Sequence, residues 1–334
     1  MNQTQKKEKS FILEHAWQHF ALYEKNASLQ KSSANRMQVW VLMLGGLAAF
    51  LAVLRSQLLS GANPVLVADG IPDRLLHYAI IIFPIATTVL AAIFNRFKPG
   101  SKWTPLRNAA ERIKSEIFRY RTLRSYDAKT GDEQPGSDKN LEGAIIDIND
   151  RLMKTDVNQT ALRPYKGEIP PSTYGVAEDS DVFSQLTPAQ YLTVRLDDQL
   201  TFYKKKTESL EKKLKFFHAL IYIFGGLGTF LAAVGLEIWV AVTTSFAGIY
   251  TTLLEYKQIE NNLMIYNQAA SSLSNLKTWW LALPEEKKKE EQVRTLVDGV
   301  EKILHSEQSR WIGNMEAVLE KLRVERTSEE SAGA

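Results

Sequence analysis

His15 and His19 stand four residues apart, a spacing at which two imidazoles on one helix face could share a metal ion. No further ligand lies nearby in the sequence, so a packed or solvated helix face is the simpler reading and no metal site is expected. Tyr191, Arg195, Gln199 and Tyr203 also recur every four residues, forming a slowly turning polar and aromatic ridge. Such a ridge either packs on a helix carrying Tyr256 and Tyr266 or presents a regulatory surface to a ligand or partner. A third set lies in apolar sequence: Thr88, Ala92 and Asn95, matched by Thr244, Gly248 and Thr251 at the same i, i+4, i+7 spacing. Small and polar residues in lipid either let helices approach and hydrogen-bond or line a wet path. Both alternatives are open at this point.

Catalytic chemistry is not written in this chain. It carries no G-x-x-x-x-G-K-[ST], H-E-x-x-H, nucleophile elbow or carboxylate constellation, so no enzyme and no cofactor are expected. It has no cysteine, which excludes disulfides, thiol nucleophiles and cysteine-ligated metals. A formal charge of +3 is too small to argue for nucleic acid as a partner. Asn2, Asn26 and Asn158 head N-x-[ST] triplets, which the topology below turns into chance matches.

The elements that position these residues are set by a segregation that the average composition of 45% hydrophobic and 24% charged residues hides. Four stretches, about 37–54, 75–94, 214–234 and 236–254, are predominantly apolar and lack a charged stripe. About 20 residues at 1.5 Å rise cross a hydrocarbon core of about 30 Å, so the expected class is an all-α membrane protein with four spans. The first span lacks a convincing cleavage site and is expected to be retained. Basic residues cluster before span one, after span two and before span three, which by the positive-inside rule places both termini and the long middle segment in the cytoplasm, with the chain in the inner membrane. His77 and His218 then lie near opposite surfaces, where an interfacial role is the simpler account, although either could sense pH.

The spans come in two near-duplicate pairs. Gly45 to Ala52 aligns with Gly225 to Ala232 at an offset of 180 residues, and Ala86 to Phe94 aligns with Val242 to Tyr250 at an offset of 156. The smaller offset reflects a shorter outer connection in the second pair, a turn at Gly235 in place of the stretch from Arg55 to Arg74. Both pairs begin from the same side, which argues for a parallel repeat and against an inverted-repeat transporter. The pairs Gly45, Gly46 and Gly225, Gly226 read as small residues for close helix packing. Pro84 in span two is a candidate hinge, because it frees a carbonyl of the preceding turn.

This gives a first two-span unit over 1–125, a cytoplasmic linker over 126–185, a second two-span unit over 186–326 and a polar tail over 327–334 that is expected to be disordered. Thr104 and Pro105 are expected to open an amphipathic helix to about Leu123, with a short element near Leu141 to Leu152 inside the linker. Thr187 and Pro188 start the helix that leads toward span three. Pro284 opens a helix to about Glu325, whose Val293, Val297, Val300, Leu304, Trp311, Met315, Val318 and Leu322 form one apolar face in need of a partner, in a coiled-coil-like arrangement with its own chain or a neighbour.

Leu186-Thr187-Pro188, Tyr191, Arg195, Gln199 and Tyr203 before an apolar span, followed by Tyr256, Asn262, Tyr266-Asn267, Glu301, Leu304, Glu307 and Trp311, resemble the SLATT family of prokaryotic two-span effector domains. Trp17, Tyr23, the Gly45-Gly46 span and the stretch from Trp103 to Tyr120 resemble a second, more diverged copy, with His15 and His19 where the other has Arg195 and Gln199. The resemblance implies a pore-forming or membrane-perturbing effector of a conflict system, often linked to enzymes that make or sense nucleotide second messengers. The expectation is therefore a homo-oligomeric pore in the lipid bilayer, with gating by a nucleotide signal or partner protein left open. The alternative is a membrane-anchored interaction scaffold without conductance.

Overall fold

The computed structural model describes residues 11–60, 70–97, 99–127, 135–169 and 182–306. Among them there are helices and no strand. The long elements are α1 (Phe11–Ser60), α2 (Ile71–Phe97), α3 (Pro99–Asp127) and α4 (Pro135–Met153). They are followed by a short α5 (Pro188–Tyr191), a π-helical stretch (Leu192–Asp197), α6 (Asp198–Ala233), α7 (Ile238–Tyr256), α8 (Ile259–Ala282) and α9, described over 290–306. Four of the helical runs are long and apolar enough to cross a membrane: α1, α2, the run ending in α6 and the run beginning with α7. The chain is an all-α membrane protein.

The described residues fall into two compact units that cut across the sequence order. A head unit takes α1 up to Gln30, Gly100–Glu208 and residues 261–306; a span unit takes Lys31–Pro99 and Ser209–Glu260. The polar flanks of both apolar pairs thus belong to one body and the apolar pairs to another.

In the head, helical spacing decides the core. Leu13, Trp17 and Phe20 of α1, Leu106, Ala110, Ile113 and Ile117 of α3, and Leu141, Ile145, Ile148 and Leu152 of α4 recur every three or four residues and are all buried. Val293, Val297, Val300 and Leu304 of α9 join the same core, so this part of the face finds its partner within the chain. Trp311, Met315, Val318 and Leu322 lie outside the described residues.

Two boundaries differ from expectation. Pro99, rather than Pro105, opens α3, because proline suits the first helical turn and the earlier one fills it. Thr104 is then interior and buried, its hydroxyl donating to the Gly100 carbonyl at 3.3 Å. Pro284 leads into a single 3-10 turn, Glu285–Lys287, before α9 begins. Thr187 does cap its helix as expected, in a reciprocal box: its hydroxyl accepts from the Gln190 backbone N–H, and the Gln190 side chain accepts from the Thr187 N–H.

The described part of the middle segment is tied to the head. Asn26 is buried, accepts from the Arg163 N–H at 2.8 Å and donates to the Arg163 carbonyl at 2.9 Å. Leu186 N–H donates to the Arg121 carbonyl, and the Arg121 Nε donates to the Ser184 carbonyl.

In the span unit, α7 meets both α1 and α6. A Cβ on Gly46 would lie 2.4 Å from Ile249 Cδ1, and one on Gly228 would lie 2.8 Å from Thr243 Oγ1, so helices approach closely at both glycines. The Phe50 and Trp239 rings lie 6.3 Å apart. The turn between α6 and α7 is a Schellman motif: Leu236 N–H reaches the Leu231 carbonyl, Gly235 N–H reaches that of Ala232, and Gly235 has φ +79°. In the first pair, Arg55 near the end of α1 grips the buried Asp73 at the start of α2 with two bonds, 2.7 and 3.3 Å.

Candidate functional sites

The π-helical stretch carries the most concentrated polar chemistry of the head. Arg195 and Glu301, 2% and 4% exposed, form a bidentate pair with Nε to Oε1 at 2.9 Å and Nη2 to Oε2 at 2.7 Å. The Tyr191 hydroxyl donates to the same Oε1 at 2.9 Å. The guanidinium carbon sits 4.8 Å from the centroid of the Phe118 ring, a cation–π contact that substitutes for water on that face. Arg195 Nη1 is buried without a hydrogen-bond partner. Burial alone would favour the neutral guanidine, but the Glu301 carboxylate outweighs it and keeps Arg195 charged. Burial, reinforced by the Glu301 charge, holds the Tyr191 phenol well above its ordinary value. On α3, burial pushes the Lys114 ammonium down to about 8, opposed by Glu111. Glu111 itself pairs with Arg107 at 2.6 Å.

Of the two readings of the ridge, packing and a regulatory surface, burial of these side chains favours packing. Tyr191, Arg195 and Tyr203 are buried and Gln199 is half-buried, its amide donating to Asp198 at 3.2 Å. The ridge faces inward because α9 supplies Glu301 and α8 supplies Tyr266, whose ring lies 5.5 Å from that of Tyr203. Tyr256 belongs to the span unit.

At the positions 180 residues earlier, His15 and His19 place their Nε2 atoms 3.0 Å apart, so one ring donates and the other accepts. His19 Nδ1 lies 3.4 Å from the Tyr23 hydroxyl, which donates to Asn149 Oδ1 at 2.7 Å. Burial and then the neighbouring His15 lower the His19 pKa, and burial pushes the Tyr23 phenol up to about 12. No cluster of three metal-ligating side chains occurs among the described residues. His77 is exposed, and His218 lies 3.6 Å from Glu260.

In the span unit, all six stripe residues face away from the chain's own helices: Thr88, Ala92, Asn95, Thr244, Gly248 and Thr251 are exposed. A Cβ on Gly248 would meet nothing within 4 Å, and the same holds for Gly45, Gly225 and Gly226. The close approaches use Gly46 and Gly228 instead. Pro84 lies inside a continuous α2, where the Thr88 hydroxyl donates back to its carbonyl at 3.0 Å.

Glu301 was visible in the sequence only as part of a resemblance, and Lys114, Arg55 and Asp73 were not singled out. The available signal was a charge at a position where helical periodicity demands an apolar residue, as at Lys114 between Ile113 and Ile117.

Two stretches of the chain match known family models. Residues 191–311 match the model of the SMODS and SLOG-associating 2TM effector domain 1, and residues 18–131 match the family described as Protein of unknown function (DUF4231). The first match supports the SLATT family over that stretch and is consistent with a membrane effector. The expected second copy falls in the stretch matched by the other family. No curated protein matches the chain, and no solved structure does.

Proposed function

We propose that the protein is a membrane effector that assembles from several copies into a pore or channel permeabilising the prokaryotic inner membrane, in a conflict or defence system. The observation that carries this reading is the outward orientation of all six stripe residues on α2 and α7. A chain that used them for its own packing would bury them; exposed small and hydroxyl-bearing faces suit contact between copies around a shared wet path. In this reading the two halves are tandem copies of one hairpin plan, and the termini and the head lie in the cytoplasm. The head is then the part that receives a nucleotide signal or a partner protein.

The test combines mass and conductance. Light scattering on the detergent-solubilised protein, with the detergent contribution removed, is expected to give a closed assembly of several subunits. Bilayer recordings of that assembly are expected to show a conductance that Thr244→Leu lowers without unfolding the protein. A monomer persisting across mild detergents and added lipid would instead assign the chain to the membrane-anchored scaffolds. A multimer whose conductance ignores Thr244→Leu would remove the stripe from the conducting path.

A further inference from the structure

We infer that the pair His15 and His19 is a pH-sensitive latch between α1 and α4, which a second proton on the two rings loosens. The hydrogen bonds of this junction run in one direction. The Tyr23 hydroxyl gives its proton to Asn149 Oδ1 at 2.7 Å, so toward His19 Nδ1, 3.4 Å away, it can only accept. His19 therefore carries its proton on Nδ1 and offers the Nε2 lone pair to the Nε2–H of His15 at 3.0 Å. A proton taken up by His15 at Nδ1 leaves this order intact. A proton taken up by His19 has only Nε2 to go to, where it sets two N–H groups and two charges against each other.

The surroundings do little to offset that second charge. Among the described residues no third metal-ligating side chain joins the two rings, so no carboxylate stands with the pair. The acids of the neighbouring elements are engaged or turned outward. On α1, Glu24 pairs with Arg107 of α3, and Glu14 is half-buried; on α3, Glu111 pairs with Arg107 as well. On α4, Asp147 is held by Arg151 at 2.8 Å and Arg112 at 3.8 Å, while Glu142 and Asp150 are exposed, as is Glu168 beyond it. The bases Lys114 and Arg121 of α3 add positive charge to the same core. Burial and then His15 lower the His19 pKa, so the folded chain holds this proton less tightly than the unfolded one. The latch is then intact above the ordinary histidine value of about 6.5 and weakens as pH falls below it. Both rings are half-buried, which leaves protons a way in.

The chain contains its own comparison. Leu141, Ile145, Ile148 and Leu152 of α4 have the same 4, 3, 4 spacing as Val293, Val297, Val300 and Leu304 of α9, at an offset of 152 residues, and all eight are buried. At that offset Asn149 corresponds to Glu301; at the offset of 180, Phe11, His15, His19 and Tyr23 correspond to Tyr191, Arg195, Gln199 and Tyr203. Each of these helices thus brings one polar side chain to the helical run that leads into a span, Glu301 to Arg195 and Tyr191, Asn149 to Tyr23. The register differs, since Tyr23 makes the contact and Phe11 instead stacks on His15 at 6.1 Å. Arg195 stays charged across the histidine range, whereas two imidazoles do not stay neutral through it. The α9 helix has a histidine of its own, His305, whose pKa is lowered by burial and then by Arg112, so it enters the test as a control. This inference is independent of pore formation.

The experiment is hydrogen exchange of the full chain in detergent, corrected for the intrinsic exchange rate at each pH. From about pH 7.5 to about pH 5.5, across the histidine range, protection of residues 141–152 in the wild type is expected to fall at least severalfold. His15→Gln/His19→Gln keeps side chains that hydrogen-bond but do not titrate, and should hold that protection level. His305→Gln should fall as the wild type does. Asn149→Asp puts a carboxylate one hydroxyl away from His19, where it stabilises the second proton, and should remove the fall with both histidines kept. A fall that persists in His15→Gln/His19→Gln, or that vanishes in His305→Gln, would overturn the latch. So would a fall in Asn149→Asp as large as that of the wild type, and this criterion decides alone if the double variant is unprotected already at neutral pH.

Discussion

In the head, charged side chains point inward and find partners there: Arg195 with Glu301, Arg121 with the Ser184 carbonyl, Lys114 beside Glu111. In the span unit the hydroxyls of Thr88, Thr229, Ser245 and Thr251 bond back to their own helices while three of these four residues stay exposed. Only a few of its polar groups, Asp73 and Thr243 among them, are buried. The head thus uses polarity to fix one packing within a single chain. The spans leave theirs on outward faces, where lipid or another copy completes the surroundings.

The strongest way to break this contrast is to remove one member of the buried pair. Arg195→Ala leaves Glu301 charged and enclosed, a loss expected to cost about 3–5 kcal/mol. Hydrogen exchange over 290–306 should report it as lost protection of α9. Arg195→Met/Glu301→Met, which removes both charges, should recover most of the protection. A single variant as protected as the wild type would mean that the pair does not specify the head.

A smaller effect separates the head from the spans by pH. Lys114 holds its proton with a pKa near 8 when folded and near 10.4 when unfolded, so between these values the unfolded chain binds more protons. Stability of the head should therefore rise as pH increases from about 8 to about 10.4, by on the order of 3 kcal/mol in total. Lys114→Met should flatten that rise in thermal unfolding scans, whereas a slope unchanged by the substitution would place its origin in other groups.

What the sequence made legible was local. Apolar length announced the spans, Thr187 and Pro188 announced a helix start, and three- and four-residue recurrence announced the α9 face. Arg195 and Glu301 are 106 positions apart, and no periodicity links them. Thr104 and Pro105 announced a helix start, but α3 begins at Pro99 and holds Thr104 buried in its interior. The stripe was found by repeat alignment, but a stripe has no sign: spacing says which residues share a face, not whether that face meets its own chain.

Gly45 and Gly46 make this point most sharply, because adjacent identical residues receive opposite surroundings. A side chain at Gly46 drives into Ile249, and Gly46→Leu is expected to cost about 1–3 kcal/mol through overpacking. Ile249→Ala should relieve part of that cost, since the atom in the way is the end of a flexible side chain. Gly45→Leu projects into open space and should leave the melting temperature of the isolated chain unchanged. If copies meet through this face, the same substitution lowers the assembled mass in light scattering while Gly46→Leu lowers the melting temperature. If both variants change the melting temperature alone, α1 packs on both sides within one chain, and the distinction between a closed head and an open span face fails at this helix.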